Sequence, residues 1–346
     1  MSQVEADDPD GDWTREGVFE VDPGVYRIPL PLPHDGLRAV NVYALTAADH
    51  LVLIDSGWFI EAAHVALHKA LAALGREVRD VRRFLVTHVH RDHYGLAVTL
   101  RREYGNQVSL GAGEQPVIDL LSSPDHRPLL AHIDALIRCG AHDLVAWMRQ
   151  RAGNVEHDPT DWAPPDDYVA GGTEVEATGR TLAVLATPGH TQGHVVFIDA
   201  AAGLFFAGDH VLPHITPSIG FEPVRTELPL GDYVHSLRLV RELPDRRLLP
   251  AHGPVRPSVH HRVDELLDHH AHRLDEALAA VGSDTMTAYE VARGLTWTRR
   301  RKAFTDLDPF NQMLAVTETG AHLDLLVAQG RLRVETVDEV RHYRIG

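Results

Sequence analysis

The sequence predicts an α+β protein that carries a helical insertion and a helical C-terminal module. Three observations lead there. From Gly17 onward, short runs of branched and aromatic residues alternate with turn formers, the mark of paired strands. Residues 114–167 show helical apolar spacing instead. Beyond residue 258 the order becomes helix, helix, helix, hairpin.

The elements follow in order. Residues 1–17 are acidic and open Met1-Ser2-Gln3-Val4-Glu5-Ala6-Asp7-Asp8, which reads as a loose, flexible tail. Residues 25–28, 39–45 and 51–54 read as strands, with Asp49-His50 as a turn. Residues 61–74 read as a helix, with apolar positions at Val65, Leu67, Leu71 and Leu74 and a stop at Gly75. Phe84-Leu85-Val86 is a buried strand that runs into a His-rich loop, and residues 94–104 form a helix ended by Gly105. The insertion places Leu129, Leu130, Ile133, Leu136, Ile137, Leu144 and Trp147 at helical spacing, then turns Pro/Asp-rich over 158–167. Strands resume at 181–185, 195–198 and 204–207, followed by a helix at 233–242 and a strand at 247–249. Helices at 263–281, 287–294 and 312–329 and a hairpin at 331–345 give the order of a winged-helix module.

Composition narrows the function. The 346 residues hold 33 Lys/Arg against 49 Asp/Glu, a net charge of −16, which argues against coating nucleic acid or an anionic membrane through bulk charge. The one cysteine, Cys139, excludes an internal disulfide framework and any Cys-based zinc cluster. No secretory signal and no apolar stretch of about 18 residues stands out, so a soluble cytoplasmic protein without a membrane partner is expected. The unusual number is 24 His, because histidine is the commonest metal ligand.

Metal chemistry is written most clearly in Thr87-His88-Val89-His90-Arg91-Asp92-His93, directly after a buried strand. His88 and His90 alternate and can point the same way, while Asp92 and His93 can turn to a second centre. A metal site needs further ligands, and three more strand ends offer them. His190 stands in Thr187-Pro188-Gly189-His190, Asp209 in Ala207-Gly208-Asp209, and His252 in Pro250-Ala251-His252-Gly253. A carboxylate at Asp209 could give one oxygen to each of two metals. Imidazole and carboxylate are what zinc takes in a catalytic site with an open position. The remaining 19 histidines, including His260-His261 and His269-His270, share no spacing.

These motifs resemble the metallo-β-lactamase-fold metallo-hydrolases, in the branch of glyoxalase II and the lactamase-beta-2-like proteins. The His-x-His-x-Asp-His motif stands at His88, His90, Asp92 and His93, the later ligand loops at His190, Asp209 and His252, and Ile54-Asp55-Ser56-Gly57 is similar to the family's Asp-Thr/Ser-Gly element. The resemblance covers residues 20–257. It implies an αββα four-layer sandwich over 18–258, with 114–167 as a helical lid and 259–346 as the winged-helix-like domain. It implies that His88, His90 and His190 bind one metal, that Asp92, His93 and His252 bind a second, and that Asp209 bridges. Asp55 would support the metal loop. His194 and His210 would orient ligands rather than bind metal. A Cys in place of Asp209 would resemble one class of zinc β-lactamases and a Glu at position 90 the di-iron flavoproteins, so neither reading is favoured.

The expected cofactor is two divalent ions, zinc first, with iron or manganese as alternatives. The expected reaction is hydrolysis. Two metals lower the pKa of a bridging water from about 15.7 toward about 7, and the hydroxide attacks an electrophilic carbon or phosphorus. Asp92 would orient that nucleophile or carry its proton to the leaving group. An apolar lid built on Leu129, Leu136, Leu144 and Trp147 points to a small ester, thioester or lactone as substrate. The alternative is an endoribonuclease acting on single-stranded RNA, supported by the winged-helix order and by Arg299-Arg300-Arg301-Lys302. Against it, residues 263–346 hold 10 Lys/Arg and 14 Asp/Glu, which leaves −4. A mono-iron dioxygenase and a winged-helix regulator rank below both. The C-terminal module would close the site or form a homodimer interface.

Overall fold

Ala39–Thr46 shows why the strands read as unbroken apolar runs. Val40, Val42 and Ala44 pack into one hydrophobic core, while Tyr43 and Leu45 pack into another on the opposite face. Leu51, Leu53, Phe84 and Val86 divide from Val52, Ile54 and Leu85 in the same way. A strand covered on both faces has no polar side to reveal its period.

In the computed structural model, which describes residues 4–33, 36–152 and 157–346, these strands belong to a mixed eight-stranded sheet. Its order follows the chain: Val4–Ala6, Val18–Asp22, Val25–Pro31, Ala39–Thr46, Leu51–Ile54, Val81–Val86, Gln107–Gly111, Asp167–Val169. A second sheet runs Arg247–Pro250, Leu204–Gly208, Val195–Asp199, Arg180–Ala186, Glu174–Ala177. Tyr43, Leu45 and Leu85 meet Leu182, Phe197 and Phe206 between the sheets. Helices Glu61–Ala73 and Arg91–Tyr104 cover the outer face of the first sheet, and Pro229–Glu242 with Val259–Val281 cover that of the second. The layers are therefore helix, sheet, sheet, helix.

Strand direction places the ligand loops. Arg180–Ala186 and Leu204–Gly208 are both antiparallel to Val195–Asp199, and Arg247–Pro250 is parallel to Leu204–Gly208. All three thus end on one edge of the second sheet. Hydrogen bonds tie that edge to the first sheet. The Asn41 side chain donates to the carbonyls of Pro250 (3.0 Å) and Gly253 (2.8 Å), and the Val195 N–H to the Thr87 carbonyl (2.9 Å).

Several expectations change. Residues 4–17 are not a loose tail: Val4–Ala6 pairs in parallel with Val18–Glu20, and Asp7 forms a buried ion pair with Arg27 at 2.7 Å. Residues 1–3 lie outside the described residues. The helix expected from Tyr94 begins at Arg91, so Asp92 and His93 stand on its first turn rather than in a loop.

The insertion forms Gln115–Leu121, Leu130–Arg138 and His142–Ala152, with 153–156 outside the described residues. Leu136 and Leu144 pack with Trp297, Phe304 and Met313 against the C-terminal helices.

The C-terminal part holds helices Val259–Val281, Ala288–Gly294 and Pro309–Ala328 and a sheet of Met286–Thr287, Val340–Ile345 and Leu332–Val337. Leu266, Leu323 and Tyr343 share one core with Val196, Phe205 and Leu248 of the second sheet, so packing is continuous across residue 258. Among the described residues, no helix is long and apolar enough to cross a membrane.

Candidate metal centre

The site starts from Asp55, at the end of Leu51–Ile54. Its φ of +61° is left-handed, a conformation Asp tolerates better than most residues when its side chain is engaged nearby. The carboxylate is buried and accepts from the Thr87 N–H (2.8 Å), the Thr87 hydroxyl (3.0 Å) and the His93 Nδ1–H (2.9 Å). One residue thus holds both ends of the His-rich segment, the role that the resemblance implied for Asp55. Ser56 adds a second tie, donating to the His93 carbonyl at 2.6 Å and accepting from the Ala97 N–H at 2.9 Å.

His88, His90 and His190 converge from three directions. His88 Nε2 and His190 Nε2 lie 3.0 and 3.1 Å from His90 Nδ1. Their outward nitrogens fix the tautomers. His190 Nδ1 lies 2.8 Å from the Ser218 carbonyl and must donate to it, because a carbonyl only accepts. His90 Nε2 donates to the Glu222 carboxylate at 2.7 Å, and His88 Nδ1 meets the Thr87 hydroxyl at 3.1 Å. Three lone pairs then face one point, the arrangement a cation requires. Burial, reinforced by the neighbouring imidazoles, pushes His88 well below its ordinary value, and burial with His90 takes His190 to about 4. Burial also opposes charge on His90, but Glu222 outweighs it and raises that group.

The second cluster is Asp92, His93 and His252. His252 Nδ1 donates to the Ala39 carbonyl at 2.8 Å, so its Nε2 turns inward to Asp92 Oδ2 (3.3 Å) and Asp209 Oδ1 (3.4 Å). His93 Nε2 lies 3.7 Å from Asp92 Oδ2 and 3.6 Å from Asp209 Oδ1. Asp209 faces both clusters, since its Oδ2 is 3.5 Å from His190 Nε2.

The donor set fits two divalent ions. His93 Nε2, His252 Nε2 and Asp209 Oδ1 are buried without a hydrogen-bond partner, yet they point at one another. Burial opposes a proton on His93, but Asp55, Asp92 and Asp209 outweigh it and raise that group to about 10. This pocket of carboxylates needs positive charge, and a cation would take the place of that proton. The ligand atoms of each group, His88, His90, His190 and Asp209 in one and Asp92, His93 and His252 in the other, lie within 4.8 Å of one another.

His194 and His210 join neither group. His194 Nε2 accepts the Asp209 N–H at 3.1 Å and Nδ1 meets the Thr187 hydroxyl at 2.8 Å, which orients the bridging loop. Gly208 makes room for this: its φ is +50°, and a Cβ there would lie 2.7 Å from both His194 Nε2 and Thr87 Oγ1.

Three polar residues beside the first cluster escaped the sequence reading. Glu222 orients His90 across 132 positions of chain. Glu114 is fully buried and accepts from the Thr191 hydroxyl; burial and the charge of Glu222 push its carboxyl up to about 8. His132, from the insertion, sets its ring 4.5 Å from that of Phe221. None belongs to a local motif. The only signal was a carboxylate or imidazole in a segment otherwise read as loop or lid.

Comparison with known proteins agrees with this geometry. The family model described as the metallo-beta-lactamase superfamily matches residues 35–119 and 125–252, more than half of the chain. The chain is similar to the probable metallo-hydrolase YqjP of Bacillus subtilis, 24% identical over 327 residues that cover 88% of this chain and 91% of that protein. It is also similar to an atrochrysone carboxyl ACP thioesterase of Aspergillus fumigatus, 25% identical over 263 residues, 76% of this chain; the chain spans about half (49%) of that relative. Among solved structures, the metallo-beta-lactamase family protein TTHA1429 of Thermus thermophilus superposes with a TM-score of 0.78 at 29% identity, covering 94% of this chain and 100% of its own.

Proposed function

This chain belongs to the metallo-β-lactamase superfamily, and from that premise we propose that it is a dinuclear hydrolase of a small ester, thioester or lactone. The observation that carries the proposal is the pinned set of imidazoles whose free lone pairs meet at one point, beside a second cluster of orphaned buried atoms. In this reading His88, His90 and His190 hold one ion, Asp92, His93 and His252 the other, and Asp209 bridges. Zinc suits these nitrogen and carboxylate donors.

Two bound divalent ions supply an activated water and Lewis-acid polarisation of the scissile group. The chain's own residues do the rest. Asp92 is partly accessible, and its Oδ2 faces His252 and His93. In this reading it takes the nucleophile's proton and passes it to the leaving group. Burial opposes ionisation of Asp92, but His93 and His252 outweigh it and hold the carboxyl below its ordinary range, so it stays ionised.

The substrate class rests on charge rather than on an apolar lid. Glu222, joined to His90, stands beside the first cluster and would repel the phosphates of a polyanion. A thioester is favoured within the neutral class by the likeness to a thioesterase. The C-terminal part, read as a winged-helix-like domain, would serve as structural backing, since its core is continuous with the second sheet. Its exposed run Arg299–Lys302, at the tip of the hairpin Thr296–Trp297 and Lys302–Ala303, supports the endoribonuclease alternative.

The test is metal analysis joined to a panel of acyl thioesters, lactones and single-stranded RNA. About two metal ions per chain with thioester or lactone turnover is the expected result. RNA cleavage without ester turnover, lost in Asp92→Ala, would replace the reading with the nuclease. Folded protein that binds no metal would end both.

A further inference from the structure

Glu114 is a fully buried acid that belongs to neither ligand group, yet it meets two of the loops that carry ligands. Taking a carboxyl out of water is costly, and a buried one is ordinarily held by donors of its own. The donors that hold this one come from the metal centre.

Strand order brings the three segments together. Gln107–Gly111 runs parallel to Val81–Val86, with Leu110 opposite Val86, so the two strands end side by side. Gly111-Ala112-Gly113-Glu114 therefore leaves the sheet next to Thr87-His88-Val89-His90. The turn after His190 closes on the same place. A Cβ on Gly113 would lie 2.7 Å from the Gly193 Cα, and one on Gly193 would overlap the Glu114 backbone nitrogen. Two glycines thus let the backbones touch with no side chain between them.

The Glu114 side chain then joins what the backbones bring close. The Thr191 hydroxyl, one residue past His190, donates to Glu114 Oε1. The Val89 amide, between His88 and His90, acts on the same carboxyl and favours its charged form. A carboxylate only accepts and has two oxygens, so it can serve a donor from each loop. The Gly189 N–H donates to the Thr191 carbonyl at 3.0 Å and closes the turn around His190, so a shift of Thr191 carries that ligand with it.

We propose that Glu114 is a positioning residue for the first metal, setting the spacing of His88 and His90 against His190. It acts through the ligands and touches no substrate. The second cluster is held by other groups, Asp55 on His93 and the Ala39 carbonyl on His252, so the loss of Glu114 should weaken one metal and spare the other. The proposal rests on the two-metal reading of the site and is independent of the substrate.

The test measures zinc affinity of the full chain by competition with a chromophoric chelator, in two backgrounds. His252→Ala leaves the first cluster to be read, and His190→Ala leaves the second. Glu114→Leu should lower affinity by about ten- to a hundredfold in the first background and by no more than about twofold in the second. Glu114→Gln, whose amide oxygen can still accept from Thr191, should recover to within about fivefold of the parent. Thr191→Val should cost about fivefold in the first background and add no more than about twofold once Glu114 is Leu.

A buried polar residue at the other end of the same strand serves as the structural control. Asn106 donates to the Val78 and Val81 carbonyls, so Asn106→Ala should lower the thermal midpoint while leaving both affinities within about twofold. Unchanged affinity in folded Glu114→Leu, equal losses in both backgrounds, or an equal loss in Asn106→Ala would each overturn the proposal. If Glu114→Leu does not fold, Thr191→Val decides, and no loss in the first background would overturn it. A wild-type chain that binds no zinc would remove the two-metal reading and this role with it. Two bound ions without ester turnover would remove the hydrolase reading and leave the role standing.

Discussion

Two groups of buried histidines, one at the second sheet's ligand edge and one among the C-terminal helices, do different things. At the edge, His88, His93, His190 and His252 each point one nitrogen at a hydroxyl, carboxylate or carbonyl and the other into one of the two ligand groups, both faced by Asp209. Among the C-terminal helices, His270 and His322 are equally buried, but His270 Nδ1 and His322 Nε2 meet each other at 3.3 Å, and Tyr233 packs on the first ring. Neither belongs to a ligand group found among the described residues. Burial of histidine is therefore not the sign of a metal site. Convergence of lone pairs fixed from outside is.

The sharpest way to break this comparison is to remove one member from each group. His88→Ala should lower hydrolysis by more than about a hundredfold, because even the outer partner of a ligand is worth about ten- to a hundredfold. The same variant should lose bound metal by elemental analysis. His322→Leu should keep wild-type metal content; loss of metal there would erase the distinction.

Chelation comes next. Stripping the ions should abolish turnover, restored by added divalent metal, and should lower the thermal midpoint measured by calorimetry. A ligand at a hundred times its Kd contributes about 2.7 kcal/mol. Far-UV circular dichroism should change little, because the helices and sheets have cores of their own.

Partners outside the ligands should resolve the two clusters. Asp55→Asn weakens the hold on His93 and Glu222→Gln the hold on His90. Each should reduce affinity at its own cluster by about ten- to a hundredfold, read by competition with a chromophoric chelator. Equal weakening of both clusters by either variant would show that they act as one unit.

The last comparison is with pH. Burial, with the charges of Arg273 and His269, lowers His322 to about 4 despite the Glu318 carbonyl, and His270 also sits well below its ordinary value. A histidine depressed in the folded state favours unfolding once protonated, so its stabilising contribution is complete above about pH 6.5 and lost as pH falls toward 4. Relative to His322→Leu, the wild-type chain should lose on the order of 3 kcal/mol across that window. Parallel curves would show that His322 does not titrate there.

Much of the site was legible because its ligands lie just past strands whose apolar runs are unmistakable. Leu85-Val86 before His88 and Phe205-Phe206 before Asp209 announce a buried strand, and a strand end is where side chains can converge. The acidic start misled because composition alone suggested disorder, whereas the Asp7–Arg27 ion pair and the pairing with Val18–Glu20 hold residues 4–17 in place. The apolar stripe of the insertion also gave no address. Leu136 and Leu144 demanded burial, and only tertiary packing set them against the C-terminal helices.

The sequence by itself determined the ligand types, their order and their place at strand ends, because spacing of two to five residues is fixed by the local backbone. Only the tertiary structure decided which carboxylates stand beside them. Glu222 reaches His90 and Glu114 reaches Thr191 across 132 and 77 positions of chain. Contacts at such separation depend on how layers pack and not on any periodicity the chain displays.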